Sequence, residues 1–183
     1  TTLQYNLEQI AYDAITETQA ESMIMIAADC KTGEILSYIS LPSADLNDYG
    51  MASNEAKLNR PSTNAYEPGS VFKIFTVGIV TDEKGISAND SFLCDGAYEK
   101  RLGNGETVRI KCLEHHGWLT PREALKYSCN DVLGQISDRI SDDQFINRIK
   151  QLGFGEKTGI ELSGETPGFV KDPDNKTWSA RSK

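Results

Sequence analysis

The run from Val71 to Val80 constrains this chain more than any other segment. Val71, Phe72, Ile74, Phe75, Val77, Ile79 and Val80 leave almost no polar face, and Lys73 is one of the few exceptions. A helix that is apolar all round belongs in the centre of a domain. The sequence therefore predicts a buried central helix with the other elements wrapped around it. A lysine on such a helix needs a partner or a task. Ser70 stands three residues earlier, on the same helical face. Pro68 suits the first helical position, which puts Ser70 in the first turn. Backbone N–H groups there are free and the helix dipole favours negative charge. A serine hydroxyl becomes a nucleophile when a neighbouring base takes its proton, and a desolvated lysine can be that base. Gly85 marks the expected end of the helix. Because serine and lysine are both common here, S-x-x-K also arises by chance, and its meaning depends on a second constellation.

That constellation lies downstream. Thr120-Pro121-Arg122-Glu123 is a capping box with proline at the first helical position, opening a short helix through Leu125 and Tyr127. Ser128-Cys129-Asn130 follows, then Val132, Leu133, Ile136 and Ile140 at helical spacing. Ser128 and Asn130 are thus expected at a joint between two helices, where small polar side chains can face a cleft. A plainer reading has Ser128 or Asn130 serving only as the cap of the second helix.

Together, Ser70-x-x-Lys73 and Ser128-x-Asn130 resemble the penicillin-recognising serine enzymes, the penicillin-binding proteins and serine β-lactamases, whose signature adds a third K-T-G motif. The resemblance implies that Ser70 is acylated, Lys73 is its base, Ser128 relays a proton and Asn130 binds the substrate amide. The Ser70 backbone amide would be one donor of the oxyanion hole. The likeness extends along the chain: Thr2-Leu3-Gln4, Asp29-Cys30-Lys31-Thr32-Gly33-Glu34-Ile35-Leu36, Asn59-Arg60, His116-Gly117 and Leu152-Gly153-Phe154-Gly155 all match. It is nearest to the monofunctional class B penicillin-binding proteins, D,D-transpeptidases that cross-link peptidoglycan. The implied fold is α/β of the α+β kind: a helical subdomain with the first hairpin of an antiparallel sheet.

Lys157-Thr158-Gly159 spells the third motif but does not sit where the family has it. It follows the helix of Phe145, Ile146 and Ile149 after a short turn, within Gly153-Phe154-Gly155-Glu156, which reads as a helix stop. The family's motif lies on a later edge strand. Residues 1–183 are accordingly expected to be the N-terminal part of a transpeptidase domain, ending before that strand. Such a fragment is expected to be impaired or inactive.

Composition bounds the remaining possibilities. At 183 residues the chain suits one domain or a large part of one. A net charge of −8 argues against nucleic acid and anionic membrane as direct partners. No apolar run is long enough for a bilayer, so the membrane anchor and stalk usual in the family are expected outside this chain. The expected setting is extracytoplasmic, with peptidoglycan stem peptides and β-lactams as ligands, divisome or elongation-complex proteins as partners, and no cofactor.

Four cysteines are too few for a disulfide framework in a chain of this length. Cys94 and Cys112 bracket Gly103-Asn104-Gly105, a turn signal between extended segments over 92–98 and 107–113, and a disulfide across this excursion is the pairing the sequence permits. Cys30 ends an apolar strand and Cys129 lies within the serine–asparagine motif. Cys94, Cys112, His115 and His116 resemble a zinc set in residue type, but the step from Cys112 to His115 is not a zinc-finger spacing, and no metal is assigned.

The rest of the layout is mixed. Leu3, Leu7, Ile10 and Ala14 predict an amphipathic helix, residues 23–30 and 34–41 a strand pair, and Ser141-Asp142-Asp143-Gln144 a second capping box. Within the same fold, a β-lactamase would need a water-activating glutamate, and Glu156, Glu161 and Glu165 fall in the right region. A β-lactam sensor is a further alternative, and a non-catalytic scaffold of a wall-building complex is the reading from another class.

Overall fold

The computed structural model describes residues 1–102 and 105–171. The expected turn residues Gly103 and Asn104, and the stretch around Trp178, lie outside the described residues. The chain divides into two compact units, one made of residues 1–65 and 159–166, the other of 66–158 and 167 onward. Among the described residues no helix is long and apolar enough to cross a membrane.

In the first unit, helix α1 (Thr2–Thr18) is capped by the Thr1 side chain, which accepts from the Gln4 N–H. Strands β1 (Met23–Ala28) and β2 (Ile35–Leu41) pair antiparallel, Met23 opposite Leu41, with a register irregularity at Ala27/Ala28. Asp29 closes the intervening turn by accepting from the N–H groups of Lys31 and Thr32. Ile39 and Leu41 point from β2 onto Ala11 of α1, flanked by Leu7, Ile15, Met23 and Met25. The buried stripe of α1 is therefore Leu7, Ala11 and Ile15. Leu3 and Ile10, expected on that stripe, are exposed. The outcome follows the sheet: Ile39 and Leu41 need a small residue at the point of closest approach, and Ala11 is it. Burial of each of these two large side chains contributes about 1.5–3 kcal/mol. The Gln4 side chain also fastens α1 to β2, donating to the Tyr38 carbonyl and accepting from its N–H.

The polar segment after β2 contains a 3₁₀ turn at Leu46–Met51 and a short helix α2 (Arg60–Thr63). Arg60 is buried, and its guanidinium bonds Glu55 at 3.0 Å and the Pro42 carbonyl at 3.3 Å. Tyr38 hydroxyl meets Asn59 Oδ1 at 2.7 Å and Ser62 Oγ at 2.5 Å.

In the second unit, a 3₁₀ turn (Gly69–Phe72) leads into helix α3 (Lys73–Asp82). Pro68 stands one position ahead of the turn rather than inside it. The left-handed residue after α3 is Lys84 (φ 59), and the Gly85 N–H closes onto the Val80 carbonyl at 2.8 Å. Strands β3 (Phe92–Cys94), β4 (Ala97–Arg101), β5 (Thr107–Lys111) and β6 (Gly117–Leu119) form two antiparallel pairs, β3 with β6 and β4 with β5. Helices α4 (Pro121–Lys126), α5 (Asn130–Ser137) and α6 (Asp142–Gln151) complete the unit. Both expected capping boxes are formed, Thr120 with Glu123 and Ser141 with Gln144.

The core of this unit gathers Ile79 and Val80 from α3, Val132, Leu133 and Ile136 from α5, and Phe145, Ile146 and Ile149 from α6, closed by Phe92 and Leu119. The excursion between Cys94 and Cys112 is thus no appendage. Its Tyr98 hydroxyl donates to Asp138 at 2.7 Å and Lys100 pairs with Asp138 at 2.6 Å. The apolar run is not buried all round either: Val71 is 69 % and Ile74 64 % exposed. Helices α4, α5 and α6 pack against one side of α3 only, so its apolar residues divide between a core face and an open face.

Gly134 lies under the Tyr98 ring. A Cβ there would stand 2.5 Å from the ring's Cγ and 3.0 Å from the Tyr98 Cβ, atoms too near the backbone to swing away. Gly134→Ala would gain about 1 kcal/mol of helix propensity but force Tyr98 off its seat, an overpacking cost of typically 1–3 kcal/mol. The expected outcome is a protein with a lower denaturant midpoint than wild type, measured by urea unfolding followed by circular dichroism. An unchanged or raised midpoint would show that Tyr98 yields freely.

Candidate active site

The joint between α4 and α5 is built from its backbone upward. Ser128 adopts a left-handed conformation (φ 50). The Ser128 N–H reaches the Leu125 carbonyl at 3.1 Å and the Cys129 N–H the Ala124 carbonyl at 2.9 Å, the paired bonds of a Schellman stop. Glycine usually fills that place. A side chain in this conformation costs roughly 1–2 kcal/mol, and such strain marks a position held for its side chain. Cys129 is the N-cap of α5, its Sγ accepting from the Val132 N–H at 3.4 Å. Neither Ser128 nor Asn130 is the cap, so the plainer reading of those two residues fails.

Their side chains meet Lys73. Its Nζ donates to the Ser128 carbonyl at 2.7 Å, to Ser128 Oγ at 3.0 Å and to Asn130 Oδ1 at 2.6 Å. Asn130 is oriented in turn by its Nδ2, which donates to the Lys111 carbonyl at the end of β5 at 2.9 Å. Burial lowers the Lys73 pKa below the ordinary lysine value, while the thiols of Cys112 and Cys129 pull it back upward.

Ser70 is exposed on the 3₁₀ turn, one turn before Lys73. Among the described residues the Lys73 amine is directed at the joint, and no hydrogen bond links it to Ser70. The structure therefore brings together Lys73, Ser128 and Asn130, with Ser70 adjacent in the chain and open to solvent. Phe72, next to it, is wedged against Phe154 (ring centroids 5.3 Å apart), and Phe154 also meets Phe75 at 5.0 Å. Phe154 thus supports the turn that carries Ser70. The sequence marks Gly153-Phe154-Gly155 as a helix stop and as part of the family resemblance, and neither reading signals this aromatic docking. Lys157-Thr158-Gly159 has no strand conformation and Lys157 is exposed, in keeping with its reading as a local turn.

The Cys94–Cys112 disulfide is not formed; all four cysteines are free thiols. The reason is the company they keep. Cys94, Cys112, Cys129 and His116 converge so that their ligand atoms all lie within 4.8 Å of one another. His116 turns into this group while the His115 ring covers Gly96 instead. Burial pushes the Cys129 thiol up. Burial also acts upward on Cys112, but the N–H groups of Asp131, Glu114 and Asn130 outweigh it and hold that thiol low. Asp131, the residue after Asn130, is buried and accepts from the Asp95 N–H at 3.0 Å and from Gln135 at 2.8 Å. It ties the joint to the loop after β3, and no local signal announced it.

Comparison with known proteins agrees with this geometry. Residues 23–182 match the family model of the penicillin binding protein transpeptidase domain. Stage V sporulation protein D of Bacillus subtilis is 32 % identical over 171 residues, covering 92 % of this chain and 26 % of that protein. Peptidoglycan D,D-transpeptidase FtsI of Escherichia coli is 28 % identical over 167 residues, 91 % of this chain and 27 % of that one. The chain thus spans about a quarter of the length of these curated relatives. The fold is shared with the TP domain of Burkholderia pseudomallei penicillin-binding protein 3, with a TM-score of 0.80, 22 % identity, and coverage of 99 % of this chain and 48 % of that one. With the family model matched over residues 23–182, most of its length, this chain belongs to the penicillin-binding protein transpeptidase family.

Proposed function

We propose that the full-length protein is a peptidoglycan D,D-transpeptidase acting through an acyl-serine intermediate on Ser70, and that residues 1–183 are the N-terminal part of its catalytic domain, with the third motif supplied by later sequence. The observation that carries this reading is the bonding of Lys73 to both members of the Ser128–Asn130 joint at 2.6–3.0 Å. Family membership supports it. The matched Burkholderia structures are about twice as long as this chain, and the open face of Val71 and Ile74 suits an apolar neighbour from the rest of the domain.

In this mechanism Ser70 Oγ attacks the penultimate D-alanyl carbonyl of a stem peptide. Lys73 acts in its neutral form and takes the hydroxyl proton of Ser70. The bond from Lys73 to Ser128 Oγ is the path for that proton: Ser128 passes it toward the departing D-alanine amine. Asn130 keeps Lys73 aimed with Oδ1 and has a second Nδ2 hydrogen left for the substrate amide. The Ser70 N–H, in the first turn where no intrahelical acceptor exists, serves as one oxyanion donor. An amine from a neighbouring stem then accepts the acyl group, and β-lactams mimic the D-Ala-D-Ala end. The setting is the outer face of the cytoplasmic membrane, with the anchor in residues outside this chain. Divisome or elongation-complex proteins are its partners.

Three substitutions in the full-length protein test the assignment. Ser70→Ala is expected to abolish covalent labelling by fluorescent penicillin, whereas Lys157→Ala is expected to leave it near the wild-type rate. Labelling that survives Ser70→Ala would remove Ser70 as nucleophile. Ser128→Gly separates stability from chemistry: relief of the left-handed side chain is expected to add roughly 1 kcal/mol of stability, while loss of the proton relay slows acylation about 10²-fold. A variant acylated at the wild-type rate would show that Ser128 relays nothing.

A further inference from the structure

We propose that Cys94, Cys112, His116 and Cys129 form a structural zinc site, which fixes the α4–α5 joint from below.

The distances are those of a tetrahedral cage. Zinc–sulfur bonds of about 2.3 Å and zinc–nitrogen bonds of about 2.0–2.1 Å at tetrahedral angles require S···S edges near 3.8 Å and S···N edges near 3.6 Å. Cys112 Sγ lies 3.6 Å from Cys129 Sγ. His116 Nδ1 lies 3.5 Å from Cys94 Sγ and 3.6 Å from Cys112 Sγ. All four ligand atoms fall within 4.8 Å of one another. Three sulfurs and one imidazole nitrogen are a soft donor set that selects zinc over magnesium or calcium.

The surroundings fit ligands rather than inert core thiols. The Val132 N–H is aimed at the Cys129 sulfur at 3.4 Å, as an acceptor carrying negative charge would require. Cys94 and Cys129 are fully buried while Cys112 and His116 are half-buried, which leaves an approach from one side. His116 is stacked on Tyr127 with ring centroids 5.4 Å apart, so its ring plane is set before any ion arrives. The four ligands come from β3, the end of β5, the residue before β6 and the cap of α5. An ion here would join both strand pairs to the residue lying between Ser128 and Asn130. This inference uses none of the transpeptidase chemistry and stands or falls separately from it.

The test uses the full-length protein, purified without chelators. Elemental analysis is expected to give one zinc per chain, lost in Cys112→Ser and in His116→Ala but retained in Cys30→Ser. Cobalt(II) added to the zinc-stripped protein is expected to give thiolate-to-cobalt charge-transfer bands with the visible bands of a tetrahedral ion. Should both cluster variants fail to fold, the wild type alone decides: stripping the zinc with a chelator should lower the melting temperature, and Zn²⁺, but not Mg²⁺, should restore it. A protein that contains no metal and takes up neither zinc nor cobalt overturns the proposal. So does peptide mapping that finds Cys112 disulfide-bonded in the native protein, or metal retained at full stoichiometry in the two cluster variants.

Discussion

Lys73 has three hydrogens, and the α4–α5 joint offers three acceptors for them. The Ser128 carbonyl, Ser128 hydroxyl and Asn130 amide oxygen lie at 2.7, 3.0 and 2.6 Å from one nitrogen. A half-buried ammonium is tolerable only when its hydrogens are satisfied. The first residue of α3 is therefore tied to the stop of α4 and the start of α5, and the core formed by Ile79, Val80, Val132 and Ile136 lies on the same helices. Packing sets the distance between the helices and the lysine sets their register. Remove the amine and three acceptors face one another with nothing between them. The 3₁₀ turn attached to this lysine inherits that precision, because Ser70 is only one turn of chain away.

What could be read from the sequence was whatever a few neighbouring residues decide. The hairpin of β1 and β2, both capping boxes and the helix–joint–helix around Ser128 were legible because turn, cap and period-3.6 signals are local. The chain failed to announce choices made by distant partners. Ala11 rather than Ile10 faces the sheet because Ile39 and Leu41, far away in sequence, demand a small neighbour. The open face of Val71 and Ile74 depends on which elements pack against α3, and periodicity does not encode that. Phe92 pairs with Leu119 across a long separation, so β3 was read only as the start of the extended segment over 92–98 and β6 not as a strand at all.

The cysteines show the same limit most plainly. Spacing along the chain suggested a pair, Cys94 with Cys112, and set His115 and His116 beside it as a zinc-like group without zinc-finger spacing. The fold instead rotates His116 inward, places His115 over Gly96, and draws in Cys129 from a helix cap. None of these placements follows from adjacent residues. They follow from the β4–β5 hairpin returning its end beside the start of α5, where the Lys111 carbonyl also receives Asn130.

Cys129 explains why the joint that holds Lys73 and a sulfur cluster share one tripeptide. It stands between Ser128, whose backbone is left-handed (φ 50), and Asn130, the first residue of α5. Ser128 and Asn130 face Lys73 together, while Cys129 between them faces the core, where it is fully buried. The two polar residues converge on one amine. Whatever occupies the opposite side then becomes the support on which they rest. A small apolar residue there would fill space; a thiol within reach of two others and an imidazole can do more, because its position is fixed by bonds as well as by packing. Geometry at the solvent side of the joint is thus determined from its buried side, through a single residue that touches neither substrate nor Lys73 by hydrogen bond.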